Sequence, residues 1–161
     1  MNKKRNYKFI QGSLIICFLI FILFSFNYCT KPKETKKDKK DYLQIQRRKL
    51  FKTKMDIKTL GDAIMQYVAS TGKAPNIKKI SELRNLGFPY FANLRELNDA
   101  WGNAFLYQRD VNDSSSYFIA SAGKDGKFEG WEQSGTYNVT IFEHYNKDII
   151  YSNGGFLYTS N

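Results

Sequence analysis

The longest apolar stretch of the chain covers residues 9–28 and contains no charged residue. These 20 residues are enough for a helix that crosses the hydrocarbon core of a bilayer, about 30 Å thick. Four basic residues precede the stretch, at Lys3, Lys4, Arg5 and Lys8. By the positive-inside rule such a leader stays in the cytoplasm. The pattern predicts either a membrane anchor or a cleaved secretory signal, with the rest of the chain outside.

A strongly polar segment follows at residues 30–40. It contains six lysines and one proline and has no apolar residue. Such a segment buries too little surface to offset the entropy of ordering it. We therefore expect a solvated tether between the apolar stretch and the rest of the chain.

A helical pattern begins at Asp41 and ends near Thr71. This stretch lacks proline, and leucine or isoleucine recurs every seven residues, at Leu43, Leu50, Ile57 and Ile64. The pattern predicts a helix with Asp41 at its N-cap, about 45 Å long at 1.5 Å per residue. Since the half before Met55 is polar on all sides, we expect that half to project and the second half to pack on a sheet.

Gly72 and Pro75 end the helix, and the predicted elements that follow are shorter. Residues 80–86 are predicted to form a short helix. Residues 104–108 and 117–121 are aromatic-rich runs with a period of two, and the turn-forming residues between them predict a β-hairpin. Residues 137–142 and 156–158 are further candidate strands.

These elements together predict an α+β fold in which a long N-terminal helix packs on a small antiparallel β-sheet. The predicted organisation has three parts. A membrane anchor or signal segment covers residues 1–29, a lysine-rich tether covers residues 30–40, and a globular domain covers residues 41–161.

The net charge of +10 would suggest a nucleic acid as partner if it were spread over the whole chain. However, it is concentrated near the N-terminus. From Met55 onward 10 basic residues face 12 acidic ones, so the part that could form a globule is nearly neutral. The distribution argues against nucleic-acid binding and favours a partner at the membrane.

Cysteine and histidine usage limits the chemistry of the globule. The two cysteines, Cys17 and Cys29, precede it, so a disulfide or thiolate metal site within residues 41–161 is excluded. His144 is the only histidine, and we find no phosphate-binding glycine loop, so we expect no enzyme. Cys29, between an apolar segment and a polar tether, is a candidate acylated first residue of a lipoprotein; an uncleaved helix that ends there is the alternative.

Two short blocks point to a known family. The first is Asp-Ala-Trp-Gly-Asn at residues 99–103, and the second is Ser-Ala-Gly-Lys-Asp-Gly at residues 121–126. Together with Tyr67, Gly72 and Pro75 after an amphipathic helix, they resemble protein G, the major pseudopilin of type II secretion. The resemblance covers roughly residues 55–126, with a looser match at Asp148 and Ile149, and implies a pilin-like fold.

The second block offers hydroxyl, carbonyl and carboxylate oxygens within a few residues, the ligands that a hard cation requires. In the family the corresponding loop binds calcium. Carried over to this chain, the resemblance implies a calcium site at Asp125 and Asp148, with Ser121 as a further ligand. In this chain 22 residues separate the two aspartates, more than the short glycine-rich link that is typical of the family.

The resemblance also implies a function: a structural subunit of the bacterial cell envelope, anchored in the membrane, that takes part in protein secretion or pilus-like assembly. Its expected partners are the membrane, other secretion or envelope proteins, and further copies of itself. The alternative is a lipoprotein with a free-standing envelope-binding module. Gly12 lacks the following Phe and Glu of the family's cleavage site. The sequence therefore allows three alternatives: processing at Gly12, processing at Cys29, or no processing.

Overall fold

The computed structural model describes residues 36–161, and Lys40–Asn161 form a compact unit. The predicted membrane segment, Gly12, Cys29 and the first part of the predicted tether lie outside the described residues. Within residues 36–161, no helix has both the length and the apolar composition that a bilayer crossing needs.

Helix α1 runs from Lys36 to Thr71. The prediction that it begins at Asp41 was wrong, because the last five residues assigned to the tether are already helical. Lysine is a good helix former. The negative charge of Asp38 in the first turn interacts favourably with the positive end of the helix dipole and stabilises the helix. The helix ends where Gly72 adopts a left-handed conformation, with φ of 74°, and its N–H donates to Val68 O at 2.7 Å.

The buried face of α1 follows the predicted seven-residue spacing. Ile57, Leu60 and Ile64 are fully buried, and Gly61 lies directly against the Tyr151 ring, where even a Cβ would collide. The expectation that the N-terminal half projects was wrong, because Gln46 and Leu50 are buried as well. The helix therefore packs on the globule from Gln46 onward. The half before Met55 is mostly polar, so its sequence gives no sign of this contact face.

Five strands form one sheet in the order β1-β2-β4-β5-β3. Their bounds are Leu106–Arg109 for β1, Tyr117–Ser121 for β2, Gly135–Tyr137 for β3, Ile149–Ser152 for β4 and Gly155–Ser160 for β5. The predicted hairpin is present as β1 and β2, and β5 covers the predicted strand at residues 156–158. The α+β fold with a long N-terminal helix on a small sheet is thus confirmed, although the sheet is mixed, because β3 pairs with β5 in parallel.

Short helices lie on both sides of the β1–β2 hairpin in sequence. Residues 80–86 form a 3-10 helix as expected in position, and Pro89–Ala92 adds a short helix α2. The strand predicted over residues 137–142 was wrong, since only Tyr137 belongs to β3 and a second 3-10 helix spans Phe142–Asn146. Thr140 N–H donates to Asn138 O at 3.1 Å and to His144 Nδ1 at 3.2 Å, and this local turn replaces strand pairing.

Candidate functional site

The first family block is organised by the buried side chain of Asp99. One carboxylate oxygen, Oδ1, accepts the N–H of Trp101 at 2.9 Å and the N–H of Asn103 at 2.8 Å. Gly102 occupies the tight bend between them with φ of 100°. The Trp101 indole Nε1–H in turn donates to Gln46 Oε1 on α1 at 2.8 Å. Through Trp101 this turn therefore fixes α1 to the loop.

The second oxygen of Asp99 connects the two family blocks. Oδ2 accepts the Ser121 hydroxyl at 2.8 Å and Asn103 Nδ2 at 3.3 Å, and Asn103 Nδ2 also donates to Gly123 O at 2.7 Å. The Ser121 hydroxyl oxygen accepts the N–H of Gly123 at 3.2 Å. The structure therefore uses the Ser121 hydroxyl, a predicted calcium ligand, to join the blocks.

The loop after β2 lies against the chain that leads into β4. Lys124 N–H donates to Tyr145 O at 2.8 Å. Gly123 has φ of 62°, and a Cβ there would lie 2.5 Å from Asn146 O and 2.7 Å from Lys147 O. Only glycine allows this approach. The contact brings the loop that carries Asp125 to the residues just before Asp148, so the insertion of 22 residues does not separate the two ends.

Asp148 is fully buried. Its Oδ2 accepts the N–H of Glu129 at 2.8 Å and Gln133 Nε2 at 2.6 Å, whereas Oδ1 is buried without a hydrogen-bond partner among the described residues. Burial raises the pKa of the Asp148 carboxyl, the two hydrogen bonds lower it, and the nearby charges of Glu129 and Asp125 raise it further. Oδ1 is therefore a buried acceptor that the described part of the fold leaves unpaired.

Asp125 lies on the exposed side of the same region. Its Oδ1 accepts the N–H of Lys127 at 3.0 Å, which holds the carboxylate at the turn. Among residues 36–161, no three His, Cys, Asp or Glu side chains form a group that could hold a metal ion. Two carboxylates still suit calcium, because calcium also takes carbonyl oxygens and water as ligands. The free Oδ1 of Asp148 and the electrostatic effect of Asp125 on it fit the cation that the resemblance implies.

Most of residues 40–161 match a known protein family. Residues 42–138, about three fifths of the chain, match the family described as type II secretion system (T2SS), protein G. The chain belongs to the protein G family. The match extends beyond the resemblance in the sequence at both ends and includes the two blocks joined by Asp99. No curated protein and no solved structure matches the chain significantly.

Three further residues contact Trp101 or Asp148 from outside the two blocks and have no signal in the sequence: Gln46, Glu129 and Gln133. A buried glutamine on a polar stretch of helix has no periodic signal, and Glu129 contributes only a backbone N–H. Cys29, the predicted lipidation site, lies outside the described residues.

Proposed function

We propose that this chain is a structural, non-catalytic subunit of a bacterial cell-envelope assembly for protein secretion, anchored in the membrane by residues 9–28 with the globule outside the cytoplasm. The observation that carries the proposal is the family match over residues 42–138. The uncharged apolar stretch supports the anchor, and the four basic residues that precede it support the orientation.

The surface of α1 supports a role in packing against other subunits. Three large apolar side chains lie within one exposed stripe of the helix: Phe51, Met55 and Met65, which are 67%, 48% and 41% exposed. The ion pair between Lys58 Nζ and Asp62 Oδ2, at 2.8 Å, lies on the same stripe. Apolar surface flanked by charge is typical of a protein contact. We infer that this stripe contacts envelope partners or further copies of the chain.

Topology is tested by membrane fractionation combined with protease treatment of intact and opened cells. The proposal expects the chain in the membrane fraction, with the globule degraded once protease reaches the outer side. Recovery of the whole chain in the soluble cytoplasmic fraction would contradict it.

The contact stripe is tested by cross-linking the double variant Phe51→Asp, Met55→Asp. Val111→Asp is the control, since Val111 is 88% exposed on the β1–β2 turn. Loss of cross-linked species in the double variant alone supports the stripe, and unchanged cross-linking argues against it.

A second candidate function rests on Cys29, at the end of the apolar stretch. In this version residues 1–28 are removed, Cys29 is acylated, and the globule is a free-standing envelope-binding module on a lysine-rich tether. Mass spectrometry of the mature N-terminus separates the versions. A diacylated Cys29 favours the lipoprotein, an uncleaved N-terminus favours the plain anchor, and a methylated residue after Gly12 favours processing as a pseudopilin.

We further propose that calcium binds between Asp148 and Asp125. The buried, unpartnered Oδ1 of Asp148 supports this, and the two negative charges would repel each other without a cation between them. The Ser121 hydroxyl is engaged by Asp99, so Ser121 would act by holding the loop in place. Calcium would supply positive charge that joins the loop to the start of β4.

Thermal unfolding of the full chain, with calcium and with chelator, tests the calcium proposal. Binding to the folded state alone adds about 2.7 kcal/mol to the free energy of unfolding at a hundredfold excess over Kd, which corresponds to several degrees in Tm. Asp125→Ala and Asp148→Asn are expected to remove that gain, and Asp110→Ala, in the distant β1–β2 turn, is expected to keep it. Identical melting curves for wild type with and without calcium would contradict the proposal.

A further inference from the structure

A groove with a volume of about 510 Å³ runs along β1, away from the contact stripe of α1. Its lining includes residues 78–81, Leu106 and Tyr107 of β1, and the aromatic pair Phe128 and Trp131. The volume is within the range of ligand-binding clefts. Its position along a strand, however, suits an extended chain better than a compact small molecule.

β1 is an edge strand, with β2 as its neighbour in the sheet. Phe105 N–H points away from β2, because it donates to Leu97 O at 3.0 Å, whereas Asp110 N–H points toward the hairpin partner and donates to Ser116 O. Because alternate residues of a strand direct their N–H groups to the same side, Tyr107 and Arg109 also point theirs away from β2. The described part of the chain provides no backbone partner for these two groups. The edge can therefore accept a further strand.

The aromatic side of the groove belongs to the face of the sheet opposite α1. Tyr117 and Ile119 of β2 are buried toward the helix, and the Tyr117 hydroxyl donates to Gly61 O at 2.7 Å. Phe118, between them, points to the other face, where its ring lies 6.0 Å from that of Trp131. Trp131 also packs against Phe128, with ring centroids 4.7 Å apart. These half-buried rings are fixed by each other and can receive an apolar side chain.

The charge of the groove has one sign. Lys78 and Lys79 are its charged lining residues, both are exposed, and neither forms an ion pair within residues 36–161. A ligand that runs along β1 therefore passes two free ammonium groups and no carboxylate of the lining. This favours an acidic segment over a basic one.

We propose that the edge of β1 binds an extended acidic segment of a partner protein, which adds as a sixth strand. The backbone of the segment pairs with Tyr107 and Arg109, an apolar side chain rests on Phe128 and Trp131, and flanking carboxylates face Lys78 and Lys79. The chain's own residues 1–35 do not fit, since they contain six basic residues and one acidic residue, Glu34. The aromatic wall comes from the long connection between Asp125 and Asp148, in which this chain departs from the typical family pattern.

The probe is a short blocked peptide, labelled with a fluorophore, that alternates glutamate with valine and has phenylalanine at its centre. The matched peptide has lysine in place of every glutamate. Fluorescence anisotropy with the full chain in mild detergent measures binding, and hydrogen exchange with mass spectrometry locates it. The glutamate peptide is expected to bind at least about tenfold more tightly and to slow amide exchange over residues 105–109. Equal affinities, or binding without slower exchange there, would overturn the proposal.

Two pairs of variants separate this site from general attraction to a basic chain. Lys78→Glu with Lys79→Glu is expected to abolish the preference for the glutamate peptide. Lys36→Glu with Lys37→Glu makes the same change of charge in the first turn of α1 and is expected to keep the preference. Arg109→Pro removes an outward N–H without touching the β1–β2 ladder, and is expected to weaken binding about tenfold relative to Arg109→Ala, which keeps that N–H. The proposal would be overturned if the two lysine double variants lost the preference equally, or if Arg109→Pro and Arg109→Ala weakened binding equally.

Discussion

Two buried aspartates in neighbouring regions of the globule are held in opposite ways. Asp99 is 5% exposed, and both of its oxygens accept hydrogen bonds, four in total. Asp148 is 0% exposed, and its Oδ2 accepts two hydrogen bonds while Oδ1 has no partner in the described part of the chain. One carboxylate is therefore fully used by the fold, and the other keeps a free oxygen inside the protein.

The difference separates a structural role from a binding role for the same residue type. A buried carboxylate is stabilised when every lone-pair region meets a donor, and it is costly when one does not. The Asp99 region joins α1, the tryptophan turn and the loop after β2. The Asp148 region uses a loop held in place by that network and leaves an oxygen available.

The largest effect is expected at Asp99. Asp99→Ala leaves the donors of Trp101, Asn103 and Ser121 unpaired in a buried region, so we expect it to lower the free energy of unfolding by about 3 kcal/mol or more. Asp99→Asn is the matched control. It keeps one acceptor oxygen for the two backbone N–H groups and is expected to lose clearly less. Urea unfolding measures both, and a change of less than about 1 kcal/mol for Asp99→Ala would contradict the structural role.

The next effect is expected at Gly123, where the two regions meet. In Gly123→Ala the new Cβ meets the backbone of Asn146 and Lys147 at 2.5–2.7 Å, in addition to the cost of a positive φ. We expect a loss of about 2–3 kcal/mol. Gly87→Ala is the control, because Gly87 has nearly the same φ, 66°, and nothing lies within 4 Å of its Cβ position.

Equal losses in these two glycine variants would mean that the backbone conformation alone sets the cost. The loop after β2 would then not depend on close contact with the residues before Asp148. A larger loss in Gly123→Ala, by contrast, confirms the contact that brings Asp125 to the Asp148 region.

Sequence analysis recovered the elements with a strong period. The buried face of α1 at Ile57 and Ile64, and the β1–β2 hairpin, follow from apolar spacing and turn composition. It missed β4, Ile149–Ser152, because this strand is a short run buried nearly throughout and shows no alternation. It misjudged the strand after Tyr137, where side-chain to backbone bonds decide the local structure.

Within the site, short sequence motifs explain why some of the residues could be predicted. The family blocks and Asp125 and Asp148 could be named, since short motifs carry them. Which aspartate has a free oxygen depends on hydrogen bonds between residues far apart in sequence, such as that of Gln133 with Asp148. Local pattern contains no information about such pairs.

A smaller effect is expected at Gln46, which extends the Asp99 region onto α1. Gln46→Leu keeps the side-chain volume but removes the acceptor of the Trp101 indole, so we expect a loss of about 1 kcal/mol in the free energy of unfolding. Gln44→Leu, at an exposed position of the same helix, is the control and is expected to change stability by less than about 0.5 kcal/mol. Indole fluorescence during urea unfolding reports both values. If the two variants lose the same amount, the Trp101 contact contributes nothing to the packing of this half of α1.

The smallest effect is expected from the charge of Asp148. Burial raises the pKa of the folded carboxyl above its ordinary value of 3.8, so between these two values the folded chain holds a proton that the unfolded chain has released. Stability therefore falls as pH rises through this window and stays lower above it. Asp148→Asn lacks this loss, because the neutral amide still accepts from Glu129 and Gln133. In chelator, the Tm of the variant minus that of wild type should increase as pH rises from below 3.8 toward neutral, and at neutral pH calcium should reverse its sign by stabilising wild type alone. A Tm difference that is independent of pH in chelator would contradict the raised pKa of Asp148 and with it the incompletely satisfied carboxylate.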